Sequence, residues 1–241
     1  MAKRAVKRRS LKAEERKTNW LLIGGIIGVG VVGLFGLLFA SLQGSGPPTP
    51  ALTATPSFVL EDYCTANPGN CIVDGAADAP ITVVEVSDYG CGHCANFNLN
   101  SADILKAQYV DSGQVRWITV PYALGGQTGY PTLPSSSAAL CANEQGQFEP
   151  FHKALFANQG TSRFNTRDGF LDAASTLGLD VEAFAACIDD GRYQATIASN
   201  IQAASLSGIN STPTFFVNGE MVLGNLPVAN FQQLLNAQLG S

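Results

Sequence analysis

Two cysteines three residues apart, Cys91 and Cys94, stand where a β-branched apolar run ends and a helix-forming stretch begins. Few folds can use that arrangement. The run Ile81–Val86 (ITVVEV) reads as a buried strand, because an almost unbroken β-branched segment suits a sheet covered on both faces. Asp88-Tyr89-Gly90 breaks it, with Asp88 read as a turn former. Residues 91–110 then place apolar Phe97, Ile104, Leu105 and Tyr109 in a helical pattern. Asp111-Ser112-Gly113 turns the chain into Val115–Val120, a second strand. Strand, helix and strand in this order imply a parallel pair.

The stretch 121–134 is rich in Gly and Pro and reads as a loop. Beyond it, 136–143, 148–157, 167–177, 181–188 and 193–207 all read as helices. Strand character returns at 214–217 and 220–223, joined by Asn218-Gly219, the dipeptide of a tight hairpin. A helix over 228–239 closes the chain. The expected fold class is α/β, with a helical insertion at about 135–207 inside a domain spanning 58–241.

Charge separates the N-terminal region from this domain. Residues 1–17 hold 8 of the chain's 14 Lys and Arg, opposed only by Glu14 and Glu15, which leaves 6 basic and 17 acidic residues for the remainder. An acidic body with scattered cations carries no nucleic-acid footprint. The basic cluster (segment 1–19) precedes Trp20–Ala40, 21 residues without a charge, long enough as a helix to span a bilayer. Positive charge on its N-terminal side places that end in the cytoplasm and the body outside. A cleaved signal peptide is the competing reading, but the apolar run is longer than a usual signal core and bulky Leu38 spoils the cleavage site after Ala40. Arg8-Arg9 belongs with the flanking charges rather than with a twin-arginine signal. Gly24 and Gly28 form a GxxxG step that could pair helices. Residues 41–57, rich in Ser, Thr, Pro and Gly, form a linker. The expectation is a single-pass membrane protein with an extracytoplasmic domain.

A C-x-x-C at a helix start has a defined chemistry. Its sulfurs can close a small disulfide, and unpaired N–H groups at the helix terminus stabilise a thiolate, the attacking species in disulfide exchange. Cys91, at the terminus, is the expected nucleophile and Cys94 the resolving thiol; a protonated His93 would add to the stabilisation. The alternatives are a structural bridge or half a zinc site. Zinc needs four ligands, and the chain offers only His93 and His152 beyond its cysteines. The chemistry requires neither metal nor organic cofactor.

The segment ITVVEVSDYGCGHC, followed some 120 residues later by STPTFFVNGEMVLG, resembles the DsbA-like branch of the thioredoxin superfamily, and the segments SSSAALCANEQGQFEPFHKALFANQ and FAACIDDGRY resemble its helical insertion. The resemblance covers about 75–239 and excludes the anchor and linker. It implies a thioredoxin fold, with Thr212-Pro213 forming a cis-proline loop beside the active disulfide, in line with proline being the one residue for which cis is cheap. It also implies that Glu85, six residues before Cys91, is a buried acid near the resolving cysteine that exchanges a proton with it; a solvent-facing strand-end carboxylate is the alternative. Gly92-His93 and Thr212 depart from the strongest bacterial oxidases, and the Gly-His pair matches the protein disulfide isomerases. The implied activity is disulfide formation or exchange in exported client proteins, with a membrane partner to recycle the dithiol. A reductase or isomerase, for example in cytochrome maturation, stands as the alternative, with a redox-inert folding chaperone behind it.

Four cysteines remain. Cys64 and Cys71 flank the turn sequence TANPGN, and Cys141 and Cys187 each fall in a predicted helix of the insertion. The expected structural disulfides are 64–71 and 141–187, with buried free thiols as the alternative. His152 is expected to pack or cap within the insertion.

Overall fold

A computed structural model describes residues 60–125 and 129–240. The expected basic segment, anchor and linker lie outside these residues. Among the described residues no helix is long and apolar enough to cross a membrane.

The chain runs through α1 (Leu60–Ala66), β1 (Ile72–Asp74), β2 (Ile81–Asp88), α2 (Gly92–Asn100), α3 (Ala102–Leu105) with a π-helical turn over Lys106–Val110, and β3 (Val115–Tyr122). A helical block follows: α4 (Leu133–Asn143), α5 (Phe148–Ala157), α6 (Arg167–Thr176), α7 (Val181–Asp189) and α8 (Gln194–Leu206). The hairpin β4 (Thr214–Val217) and β5 (Glu220–Leu223) and the helix α9 (Val228–Leu239) complete a thioredoxin-like α/β fold with a helical insertion.

The sheet order is β1-β3-β2-β4-β5. Central β2 pairs in parallel with β3, Ile81 opposite Val115 through Asp88 opposite Tyr122, and antiparallel with β4, Val83 opposite Val217. Seven of the eight β2 residues are buried, the polar Glu85, Ser87 and Asp88 among them, as a central strand covered on both faces requires. One sheet face packs Val83, Trp117 and Phe215 against Phe97, Leu105, Tyr109 and Phe231 of the helices α2, α3 and α9 and of the π turn. The other packs Val84, Val86, Ile118 and Phe216 against Leu60, Leu140, Ile201 and Ala204. The insertion has its own core of Phe148, Phe151, Phe156, Phe170 and Phe184, and this core also takes in Tyr89 and Cys94. The β4–β5 hairpin turns on Asn218 and Gly219, both at positive φ (49° and 82°), as a two-residue hairpin demands.

The single helix expected over 91–110 is broken. Ser101 leaves helical geometry (φ −120°, ψ −40°), and the chain resumes in α3 and a π turn. Three asparagines and a serine within residues 96–101 favour such a break, since their side chains compete for backbone groups. The break changes the helical phase, so Ile104, expected to be apolar core, is 50% exposed while Leu105 is fully buried. The short elements α1 and β1 carry too little periodicity to stand out in sequence. They are anchored by tertiary pairing, Ile72 opposite Thr119 of β3 and Tyr63 Oη to Asn200 Oδ1 of α8 at 2.7 Å.

Candidate active site

The site forms where β2 meets α2. The Cys91 N–H donates to the Asp88 carbonyl at 3.0 Å, turning the chain into the helix. The buried Asp88 carboxylate does more than form a turn. Oδ1 accepts from the Gly90 N–H at 2.6 Å, and Oδ2 accepts from the Leu124 N–H at 2.7 Å and from the Thr132 hydroxyl. Gly90 is required here: a Cβ would lie 2.9 Å from Thr132 Cγ2 and 3.1 Å from Asp88 Oδ1.

Cys91 caps α2 in an extended conformation (φ −87°, ψ 119°) and is half-buried, whereas Cys94, one turn in, is fully buried. Both are free thiols. The Thr212–Pro213 peptide bond is cis, and the Cys91 thiol donates to the Thr212 carbonyl at 3.3 Å, so residues more than a hundred positions apart meet. The Cys91 thiol is held down to about 5. The largest cause is the Cys94 thiol donating to its sulfur; burial opposes this, and the N–H groups of Cys94 and His93 assist. Burial pushes the Cys94 thiol far up, and its hydrogen bond to Cys91 adds to that. The two sulfurs are thus chemically unlike. His93 contributes through its backbone, and its side chain is exposed.

Glu85 is 1% exposed, on the β2 face that meets α2. Its Oε1 accepts from the Ser87 hydroxyl and from Asn98 Nδ2 at 2.8 Å, and its Oε2 from Trp117 Nε1 at 3.0 Å. Three donors converge on its two oxygens, so this buried side chain is fully partnered. Asn98 Nδ2 also donates to the Cys94 carbonyl at 3.2 Å, which links Glu85 to Cys94.

Several site residues gave no sequence signal. Gln159, in the loop after α5, donates its amide to the carbonyls of Tyr89 and Cys91 and ties the insertion to the active-site turn. Asn98 follows Cys94 by one helical turn, a spacing that places it on the same helix face but is too common to single out. Away from the dithiol, Cys64 is bonded to Cys71 and Cys141 to Cys187.

Comparison with known proteins accords with this geometry. The thioredoxin family model matches residues 66–237. An Na(+)/H(+) antiporter NhaA 3 from Salinispora tropica is 32% identical over 169 residues, 70% of this chain but 25% of the antiporter. The chain thus spans about a quarter of the length of such relatives. Disulfide bond formation protein D from Bacillus subtilis is 27% identical over 151 residues, 61% of this chain and 68% of that protein. The crystal structure of oxidised BdbD from Bacillus subtilis superimposes with a TM-score of 0.64 at 20% identity, covering 80% of this chain and all of that one, a likeness of fold. With the family model matching well over half its length, the chain belongs to the thioredoxin family.

Proposed function

We propose that the protein catalyses disulfide formation in exported, cysteine-containing client proteins through Cys91 and Cys94. A client thiolate attacks Cys91 Sγ, the Cys91–Cys94 bond breaks, and a mixed disulfide forms. A second client thiol then attacks the client sulfur, releasing Cys91 as thiolate. The client loses two electrons and two protons, which the dithiol takes up. In the reverse direction Cys94 resolves the mixed disulfide. The Thr212-Pro213 loop flanks the client-facing sulfur, and Glu85 stands behind Cys94 as the acid that manages its proton. A membrane redox partner reoxidises the dithiol, and the Trp20–Ala40 segment keeps the domain at the extracytoplasmic face. Ion transport is not carried over from the antiporter relatives, which share about a quarter of their length with this chain.

The observation that carries this reading is the unequal dithiol: a part-exposed Cys91 held down to about 5 beside a buried Cys94 pushed up. A stabilised Cys91 thiolate favours the reduced form, so the disulfide is the less stable partner and passes to clients. This supports oxidation over the reductase alternative. Equilibration with glutathione tests it. The expected reduction potential lies above the glutathione couple, and a value near that of a reducing thioredoxin, about −270 mV, would reverse the direction. The anchor is tested by N-terminal sequencing of the protein from a membrane fraction; a mature chain beginning near Ser41 overturns it.

A further inference from the structure

Behind the dithiol, a chain of buried polar groups joins the helical insertion to the thioredoxin half. It runs from Glu85 through Asn98 and His152 to Tyr89, and all four side chains are at most 4% exposed. His152 Nε2 lies 2.9 Å from Asn98 Oδ1, and His152 Nδ1 lies 2.7 Å from Tyr89 Oη. His152 sits on α5, 54 positions after Asn98 and 63 after Tyr89.

The chemistry of the donors allows one arrangement. Asn98 spends its Nδ2 hydrogens on Glu85 and on the Cys94 carbonyl. Its Oδ1 must therefore accept, so His152 Nε2 carries the hydrogen. Nδ1 is then the acceptor, and the Tyr89 hydroxyl donates to it. Burial drives the His152 imidazole down to about 3; Glu149 opposes this, and Lys106 and Lys153 reinforce it, so the ring stays in this neutral tautomer. Burial likewise keeps the Tyr89 phenol protonated, and Glu85, Glu149 and Asp88 add to that. Every polar atom of the chain is used.

The placement of the two partners gives the imidazole its meaning. Tyr89 lies two residues before Cys91 and Asn98 four residues after Cys94. A single ring therefore grips the C-x-x-C segment on both sides, and through Asn98 it reaches the backbone of Cys94. The orientation of the Cys94 thiol toward Cys91 depends on that backbone.

The geometry points to His152 as a positioning residue for the redox centre: its two hydrogen bonds, to Tyr89 and Asn98, hold the Cys-x-x-Cys turn in the shape that lets Cys94 donate to the Cys91 sulfur. The insertion thereby tunes the dithiol as well as flanking it. This deepens the oxidoreductase reading and rests on it.

Three variants of the full chain test it. His152→Phe keeps an aromatic ring among Tyr89, Phe148 and Phe156 and removes both hydrogen bonds. His152→Gln keeps a donor toward Asn98 at the Nε2 position and leaves no acceptor at the Nδ1 position that faces Tyr89, and Tyr89→Phe drops that same bond from the other side. The readouts are the pH midpoint of Cys91 alkylation and the equilibrium constant with glutathione, neither of which a merely structural role would move while the domain stays folded. In His152→Phe the midpoint rises, and the equilibrium moves toward the disulfide by at least about threefold, a change of about 15 mV for this two-electron couple. His152→Gln and Tyr89→Phe give smaller shifts of equal size and the same direction. A folded His152→Phe with both readouts at wild-type values overturns the proposal. If His152→Phe does not fold, unchanged readouts in both single-bond variants overturn it. Failure of the oxidoreductase reading would look different, since the unmutated chain itself would not equilibrate with glutathione.

Discussion

Removing the Cys94 thiol is the sharpest perturbation of the site, because that thiol is the largest cause of the lowered Cys91. With Cys91 at about 5 against an ordinary 9.0, half of it is thiolate at pH 5, compared with about one part in 10⁴ for a free cysteine. The thiolate advantage is about 5,000-fold, but nucleophilicity falls with basicity by about 0.45 log units for each unit by which the thiol's pKa is lowered, or about 60-fold from 9 to 5. Alkylation of Cys91 at pH 5 should therefore run about 80-fold faster than that of a model thiol, while at pH 7 the two differ by only about twofold. A hydrogen bond to a charged atom contributes about 1.5–3 kcal/mol, equivalent to about one to two pH units. Cys91 is partly exposed, and solvent screening brings the expectation to the lower end. Cys94→Ala should thus raise the midpoint from about 5 to about 6, whereas Cys94→Ser, which keeps an O–H donor in place, should raise it less. The assay is the rate of iodoacetamide labelling of the reduced protein from pH 4 to 9, read as a midpoint. An unchanged midpoint in Cys94→Ala, or equal rises in both variants, would refute the assignment of the low Cys91 value to its neighbour's thiol.

The remaining expectations concern the surroundings of the dithiol. His152 is buried with its folded value lowered from 6.5 to about 3, so below pH 6.5 the unfolded chain binds a proton that the folded one refuses. Stability should fall by about 2 kcal/mol between pH 7 and pH 5 on this account, and urea titrations of His152→Phe should lack that component. Opening Cys141–Cys187, which closes a 46-residue separation, should cost about 4 kcal/mol, and Cys64–Cys71, with a separation of 7, about 2.4 kcal/mol. Denaturation of the paired Cys→Ala variants measures both, and the reverse order would contradict the loop-entropy argument. Glu85→Gln puts an amide nitrogen against a ring of donors, so it should destabilise the domain by about 1–3 kcal/mol. It should also slow resolution of the mixed disulfide more than the first attack by Cys91. Stopped-flow traces with equal slowing of the two steps would remove Glu85 from proton handling.

Sequence alone carried what depends on local order and covalent spacing. A β-branched run read as β2, the hairpin followed from Asn218-Gly219, and the phenylalanine-rich helices of the insertion were visible because their periodicity spans ten or so residues. The C-x-x-C at a helix start announced its chemistry for the same reason: both cysteines and the helix terminus lie within four residues. What the sequence did not carry are the relations that cost no local pattern. The break at Ser101 turns Ile104 outward, and only packing against the sheet selects which helical phase prevails. Glu85 stood out as an acid in an apolar strand, but its three donors come from Ser87, Asn98 and Trp117, and the last is brought alongside by the β2–β3 register. Gln159 and His152 show this most plainly. Each is one polar residue on or just after an unremarkable helix, and each acquires its meaning when α5 docks beside α2 and delivers hydrogen bonds across more than fifty residues of chain. Tertiary structure decides such contacts because a buried donor must find an acceptor wherever the fold has placed one, and sequence distance does not enter that requirement.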